Sequence, residues 1–299
     1  MCVLFTSARP LERAENIKAV YDAYDGDKRY IQNRPGAFIP EFHSGRYKVM
    51  VSDELMNVST GKYIFIGHGM GACKTYGLDM PHPYFHRPDL LTYLIASSEY
   101  MVPIVAKQSG VSREQVIPLG MPRTDAYFRL KKKESPYKHH LYAPTFRWGE
   151  WLPDLNKIQR LMPENNRLTV KMHMVTGDII KSVWPDIDVA SSMVPSTPYL
   201  VQADTVITDY SSIMFDAMVL QKPVILFARD KGQYLDSRGM YFPYPEQYSR
   251  YYSDTEEDLV ELMETATWDE HSEHLRQFYC GACDGHSTER VVELIRSCL

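Results

Sequence analysis

Cysteine is scarce and long apolar runs are missing, and both absences narrow the class of protein. The chain has 299 residues and five cysteines, an odd number at low density, which excludes a disulfide-stapled scaffold and is typical of a reducing compartment. No stretch approaches the roughly 18 apolar residues of a membrane-spanning helix, and the opening MCVLFTSARP is too short for a signal-peptide core. We therefore expect a cytoplasmic protein that contacts membranes only peripherally.

An excess of positive charge is also absent. Lys and Arg number 33 against 38 Asp and Glu, so the formal net charge is −5. This balance excludes a protein whose whole surface binds nucleic acid electrostatically. Any positive charge that binds phosphate must be concentrated at one site. The acidic residues show no spacing typical of a metal site. We expect no resident metal or other cofactor, and we leave open a Mg²⁺ ion held loosely by a bound pyrophosphate.

Short apolar runs alternate with longer helical patterns along the chain. Strand-like runs occur at VLF, YKVMV, YIFI, YLIAS and VIPLG, and again at LYAPTF, RLTVKMH, DTVITD and PVILFA. This βαβ rhythm predicts parallel sheets covered by helices. The charged stretch at 131–140 is interpreted as a linker. We predict two Rossmann-like α/β domains, 1–131 and 139–299, and expect the last helix, at about 287–298, as a candidate to pack back across the first domain.

The first candidate site follows the strand YIFI. The letters GHGMG place three glycines around His68, so bare backbone N–H groups can approach a phosphate. Lys74 follows on the same loop and could supply charge. A tight strand-exit turn whose histidine only caps a neighbour explains the same letters, so both interpretations stay open.

The second candidate site follows the run TVIT. Ser211 and Ser212 come after the strand-terminal Asp209 and begin a helical pattern, where hydroxyls and free backbone N–H groups accept anions. Helix capping alone would explain either serine. Other predicted strand ends carry Arg123, Thr145, Arg147, Lys171 and His173.

These segments together resemble the CDP-glycerol glycerophosphotransferases, which include wall teichoic acid primases and polymerases and related capsule enzymes. The similarity is carried by HG followed by KTYG (68–77), LGMPRTD (119–125), LYAPTFR (141–147), KMH (171–173), ITDYSSIMFDAMVLQKPVILF (207–227), RGMYF (238–242) and DGHSTERVVELI (284–295). TDYSS with the following Asp216 and KP is the most specific part. The resemblance implies the glycosyltransferase-B architecture of two Rossmann-like domains.

The resemblance also implies a set of site residues. It places two essential histidines at His68 and His173, and donor contacts at Gly69, Met70, Gly71, Arg123, Thr145, Phe146, Lys171, Met172, Ser211, Ser212 and Asp216. We expect these groups around one pocket between the two domains. One loop departs from the family, which usually reads WHGTPLK where this chain reads GHGMGACK. The first 67 residues resemble nothing specific, and in the family that region meets the acceptor.

The function implied is transfer of a polyol phosphate, glycerol phosphate first, from a CDP-activated donor to a hydroxyl of a glycan or teichoic-acid-like acceptor. His68 would act as the general base, and His173 with Arg123 and the two serines would hold the pyrophosphate of the departing CMP. Two alternatives stay open. One is a nucleotide-sugar glycosyltransferase or epimerase of the same fold, and the other is a protein that binds a CDP-polyol without turning it over.

Two further patterns have both a structural and a functional explanation. Cys280, Cys283 and His286, with Cys298 as a fourth ligand, could hold zinc, or the cysteines are simply buried. The aromatic-rich segment 240–252 either packs against its own domain or forms a surface for sugars or for a membrane interface.

Peripheral membrane contact is the first testable expectation, since the resemblance implies acceptors on lipid carriers at the inner face of the cytoplasmic membrane. The one dense basic stretch, KKKESPYK, holds four lysines, Lys131, Lys132, Lys133 and Lys138, beside Glu134. Each lysine near an anionic surface contributes about 1 kcal/mol. We predict flotation with anionic vesicles at low salt and release at high salt. Binding that survives high salt would instead indicate a hydrophobic contact, with segment 240–252 the first suspect.

Overall fold

The computed structural model describes residues 2–33, 45–55, 61–67, 69, 74–75, 88–145, 152–172, 186–191 and 194–299. Contacts divide the chain into two compact units. The first unit comprises Met1–Phe128 with Gln277–Leu299, and the second comprises Arg129–Arg276. Compared with the expected domains at 1–131 and 139–299, the second unit begins earlier, and the C-terminal residues from Gln277 onward belong to the first unit.

The first unit contains a sheet of six described strands that all run parallel. They are β1 (Cys2–Ser7), β2 (Lys28–Gln32), β3 (Tyr47–Ser52), β4 (Lys62–Phe65), β5 (Tyr93–Ile95) and β6 (Val116–Ile117). Their order is β2-β1-β3-β4-β5-β6, and Phe5 of β1 lies opposite Tyr30 on one side and Val51 on the other. All six residues of β1 are buried, which explains its continuous apolar sequence.

The second unit contains another parallel sheet of six described strands. They are β7 (Lys138–Tyr142), β8 (Asn166–Val170), β9 (Asp188–Val189), β10 (Thr205–Thr208), β11 (Val224–Phe227) and β12 (Tyr251–Ser253). Their order is β12-β11-β10-β7-β8-β9. Chain order therefore runs outward in both directions from the neighbours β7 and β10, which is the strand order of a doubly wound dinucleotide-binding sheet.

Helices cover both sheets, as the alternating pattern predicts. The described α-helices are α1 (Glu15–Ala23), α2 (Val102–Ser109), α3 (Leu155–Leu161), α4 (Thr197–Gln202), α5 (Ile213–Val219), α6 (Lys231–Arg238), α7 (Glu256–Thr265), α8 (Glu270–Cys280) and α9 (Ser287–Ser297). Short 3₁₀ segments include Leu11–Arg13 and Pro122–Phe128. Within the described ranges, no helix combines the length and the apolar character that crossing a bilayer requires.

Three strands do not belong to any apolar run that the sequence analysis identified, and all three lie at the edge of a sheet. They are β2, β9 and β12. An edge strand is paired on one side only, and the five residues of β2 are half-buried or exposed. Without burial on both faces, such a strand carries no continuous apolar run.

The C-terminal helix is held in the first unit by a remote carboxylate. Asp125 is buried, and its two oxygens accept hydrogen bonds from the backbone N–H groups of Ser287, at 3.1 Å, and Thr288, at 2.7 Å. These are two of the donors that the first turn of a helix leaves without a helical partner. The residue at the usual capping position, His286, makes no such bond. Asp125 therefore joins the segments LGMPRTD and DGHSTER.

A glycine and an arginine complete this junction. Gly120 has a φ of +80°, and a side chain there would clash with the carbonyl oxygen of Ala282 and the hydroxyl of Ser287. Arg290 of α9 donates from Nε and Nη2 to the carbonyl of Leu119, at 3.1 and 3.0 Å. The same guanidinium bonds Asp284 and holds the pKa of that carboxyl below its usual value. These two segments therefore serve folding as well as any chemistry.

The stretch interpreted as a linker is instead attached to the second unit. The side chain of Gln202 in α4 accepts the backbone N–H of Lys133 and donates to the carbonyl of Lys133, each at 3.1 Å. Lys132 forms an ion pair with Asp204. Lys138 donates to the carbonyl of Met263 at 2.6 Å. Two of the four lysines considered for membrane contact therefore already have protein partners, so the charge available for a membrane is smaller than the sequence implies.

A buried histidine makes the second unit sensitive to acid. His140 of β7 is 1% exposed, and its Nε2 lies 3.3 Å from Oδ1 of Asn166. Its Nδ1 has no hydrogen-bond partner among the described residues. Burial disfavours the charged ring and lowers the pKa of His140 from 6.5 to about 4.

We predict that His140 makes the fold less stable as pH falls. The unfolded chain takes up a proton near its ordinary pKa of 6.5, whereas the folded chain resists protonation until about 4. The stabilisation is complete above the unfolded pKa, and about 2 kcal/mol of it is lost by about pH 5. Urea denaturation of the wild type and of His140→Leu across this range should show the slope in the wild type and a shallower one in the variant. Replacement of the half-buried neighbour, His139→Leu, is the control and should keep the wild-type slope. Parallel curves for wild type and His140→Leu would contradict the assignment.

Candidate functional site

The strand order of the second unit defines where loops gather. Strands β7 and β10 are neighbours, and β8 and β11 lie on their outer sides. The connections that leave these two strands therefore diverge to opposite faces, which opens a crevice at the carboxyl ends of the strands. The segments that follow β7 and β10 contain Thr145 and Ser211 with Ser212, which the sequence analysis selected.

One buried carboxylate joins these two segments. Asp209 follows β10 and is 1% exposed. Its Oδ1 accepts the backbone N–H of Thr145 at 2.7 Å and that of Tyr210 at 2.6 Å. The hydroxyl of Thr208 donates to the carbonyl of Ala143 at 2.7 Å. Asp209 thus positions Thr145 relative to the serine segment, a role that the sequence analysis did not assign to it.

The two serines begin helix α5 without being ordinary caps. Ser212 occupies the capping position and makes no side-chain capping bond, and the Oγ of Ser211 lies 3.5 Å from the N of Ile213. Both serines are half-buried. Capping, the alternative explanation for these residues, therefore accounts for Ser211 only weakly and does not account for Ser212. Asp216, on the next turn, is 5% exposed, in a helix whose residues from Met214 to Val219 are all buried.

The aromatic-rich segment 240–252 packs around the end of β10. Tyr210 is fully buried, stacks on Tyr234 with ring centroids 3.6 Å apart, and donates its hydroxyl to Asp230 at 3.0 Å. The ring centroid of Tyr244 lies 5.1 Å from that of Tyr210, and the hydroxyl of Tyr244 donates to the carbonyl of Asp209 at 3.3 Å. Tyr248 is fully buried as well. For these tyrosines, packing against their own unit is the explanation that the structure supports.

In the first unit, the loop after β4 and the segment after β6 are connected through α1. Gly67 has a φ of +75°, and its carbonyl accepts the side-chain amide of Asn16 at 2.9 Å. The backbone N–H of Arg123 donates to the other end of the same amide at 3.0 Å. Arg123 and Lys74 are half-buried, and Gly69 is exposed.

Residues 42–297 match the family described as CDP-glycerol:poly(glycerophosphate) glycerophosphotransferase. The chain belongs to this family.

The relatives of this glycerophosphotransferase-family chain include proteins named for ribitol phosphate and for glycerol phosphate. The chain is 28% identical over 261 residues to a teichoic acid poly(ribitol-phosphate) polymerase of Bacillus spizizenii, covering 76% of this chain and 42% of that protein. It is 30% identical over 207 residues to a teichoic acid glycerol-phosphate primase of Bacillus subtilis, covering 60% of this chain and 53% of that protein. The chain spans about half the length of these relatives.

A solved structure places this family member in its fold class. The structure of the wall teichoic acid polymerase TagF matches with a TM-score of 0.79 at 21% identity, covering 99% of this chain and 88% of that one. At this identity the likeness shows the fold alone. Together with the two parallel sheets, it establishes the expected α/β class of two Rossmann-like units, the glycosyltransferase-B architecture.

The remaining predicted residues of this glycerophosphotransferase-family chain divide into two groups. Lys171 follows β8, is 9% exposed, and donates from Nζ to the carbonyl of Ser191 at 3.0 Å. Met172 is 3% exposed, and its side chain packs in the apolar core of the second unit. The others, His68, Met70, Gly71, Phe146, Arg147 and His173, lie outside the described residues.

The zinc interpretation of the C-terminal cysteines finds no support in their surroundings. Cys280 and Cys283 are fully buried, whereas the side chain of His286 is 69% exposed and its Nδ1 lies 3.5 Å from a carboxylate oxygen of Glu289. Across the described ranges, no group of three or more His, Cys, Asp or Glu side chains is arranged to hold a metal ion.

The geometry of Ser211 and Ser212 predicts that their hydroxyls matter for donor binding and contribute little to the stability of the fold. We expect the double replacement Ser211→Ala and Ser212→Ala to weaken CDP-glycerol binding by about tenfold or more, since hydrogen bonds to charged groups contribute about 1.5–3 kcal/mol each. The melting temperature should change by less than about 2 °C, because neither hydroxyl makes a strong capping bond. Titration calorimetry and thermal denaturation measure the two quantities.

The matched control is Ser237→Ala on α6, where the hydroxyl is exposed and bonds its own helix. It should leave donor binding unchanged. Unchanged affinity in the double variant would remove the serines from the donor site, and a large loss of melting temperature would assign them a structural role.

Proposed function

We propose that the protein transfers a polyol phosphate, with glycerol phosphate preferred, from a CDP-activated donor to a hydroxyl of a glycan or teichoic-acid-like acceptor, with release of CMP. The observation that carries the proposal is the family match over residues 42–297, which includes every residue proposed for catalysis or donor binding. The relatives include proteins named for ribitol phosphate and for glycerol phosphate, so the choice of glycerol rests on the family description.

In the proposed reaction an acceptor hydroxyl attacks the phosphorus that bears the polyol. A new P–O bond forms, the bond from that phosphorus to the bridging oxygen breaks, and CMP departs with that oxygen. His68 takes the proton of the attacking hydroxyl. Such a displacement depends mainly on alignment and on neutralisation of charge.

The described donor-side groups fit that requirement. Lys171 follows β8 and carries a positively charged ammonium group, which donates to the carbonyl of Ser191. Asp209 bonds the backbone of Thr145 and of Tyr210, the residue before Ser211. Arg123 brings a guanidinium whose fork suits phosphate oxygens. His173 completes the proposed set on the pyrophosphate.

The experiment is an assay of CMP release from CDP-glycerol and CDP-ribitol with a panel of lipid-linked and soluble glycan acceptors. We expect acceptor-dependent CMP release that is faster with CDP-glycerol. Parallel reactions with and without EDTA and added Mg²⁺ measure any dependence on a loosely held ion. Faster turnover of CDP-ribitol would change the polyol and keep the reaction class.

His68→Ala should lower kcat by about 10²- to 10⁴-fold, the usual contribution of a general base, with donor affinity largely kept. His271→Ala, an exposed histidine on α8, is the matched control and should behave as the wild type. Donor affinity without CMP release from any acceptor would indicate a binding protein instead. UDP release from UDP-sugars in the absence of CMP release would indicate a nucleotide-sugar enzyme.

A further inference from the structure

Asn16 is a buried polar residue that neither the motifs nor the family match includes. It lies in the first turn of α1 and is 2% exposed, while the matched segment begins at residue 42. Its neighbours on the buried side of this region, Ala14, Ile17 and Val20, are apolar. A buried side-chain amide costs folding free energy unless both its oxygen and its nitrogen are hydrogen-bonded.

Both ends of the Asn16 side chain are bonded to backbone groups of the proposed site. Nδ2 donates to the carbonyl of Gly67 at 2.9 Å, and Oδ1 accepts the N–H of Arg123 at 3.0 Å. A carbonyl can only accept and a backbone N–H can only donate, so these partners determine the orientation of the amide. The side chain therefore spans two loops that are 51 and 107 residues away in the sequence.

The bond to Gly67 acts on the residue that follows it. The carbonyl of residue 67 lies in the same planar peptide unit as the nitrogen and Cα of residue 68. Gly67 has no side chain and adopts a φ of +75°, so it has no side-chain contact that could orient this peptide. The hydrogen bond from Asn16 supplies that orientation at the point where the chain enters His68.

We infer that Asn16 is a positioning residue for the transfer reaction, holding the peptide that leads into His68 at a set distance from the backbone of Arg123. This inference rests on the proposed function, in which His68 is the general base and Arg123 a donor ligand. A displacement of about 1 Å in a catalytic group can cost about a hundredfold in rate. Asn16 thus acts through the two loops and touches no substrate.

Asn16→Asp separates this role from simple packing, because aspartate has the shape of asparagine. Near pH 8 its carboxylate still accepts from Arg123 but turns an oxygen toward the carbonyl of Gly67, where two acceptors repel. A protonated carboxyl restores the donor, and burial raises the pKa of such a group above its usual value of about 3.9. We expect kcat about tenfold or more below wild type near pH 8, and a variant-to-wild-type ratio that rises toward one as pH falls.

Asn16→Leu removes both bonds and cannot titrate. It should lose at least as much activity and show no recovery at low pH. The control Asn156→Asp makes the same charge change at an exposed position of α3 and should match the wild type at every pH. Thermal denaturation at each pH gives the folded fraction to which every rate is normalised.

Hydrogen exchange supplies a readout that does not depend on turnover. The amide of Arg123 should exchange about tenfold faster or more in Asn16→Leu, and near the wild-type rate in Asn16→Asp. A flat ratio of activities across pH, or activity that only follows the folded fraction, would overturn the positioning role. If the wild type releases no CMP at all, the proposed function fails and the catalytic role fails with it, while the exchange rates still decide whether Asn16 holds the two loops.

Discussion

The carboxylate of Asp209 determines how the loops at the centre of the second unit are arranged. It is almost fully buried, a position that a charge occupies at low cost only when hydrogen-bonded. The N–H groups of Thr145 and Tyr210 meet that need. The hydroxyl of Thr208 adds another bond between the same two segments, to the carbonyl of Ala143 at 2.7 Å. The side chains of Asp209 and Thr208 therefore both link the segments that follow β7 and β10.

Asn16 has the corresponding place in the first unit, with an amide in place of a carboxylate. Its two ends match one carbonyl and one N–H, whereas the two oxygens of a carboxylate suit N–H donors alone. In both units parallel strands deliver loops to a common edge of the sheet. In each unit a buried polar side chain then hydrogen-bonds the backbone of loops that leave two different strands.

The segments that carry the family resemblance combine structural and chemical residues. In LGMPRTD, Gly120 and Asp125 hold the C-terminal helix in place, while Arg123 is the residue proposed for the donor. In TDYSS, Asp209 and Tyr210 are buried in the fold, and the serines are half-buried. Several letters of each motif are thus explained by packing and hydrogen bonding before any substrate is considered.

The sequence by itself determined the central strands, the parallel α/β class and the segments from which site residues come, because strands buried on both faces must be apolar along their length. The strands β2, β9 and β12 were missed, since none of the three is buried along its whole length. The attachment of the stretch 131–140, interpreted as a linker, was missed because Gln202 and Asp204, which bind it, are about 70 residues away. Asp209 and Asn16 received no role from the sequence for the same reason: hydrogen bonds between residues far apart in the chain leave no local pattern, and only the tertiary structure decides which groups meet.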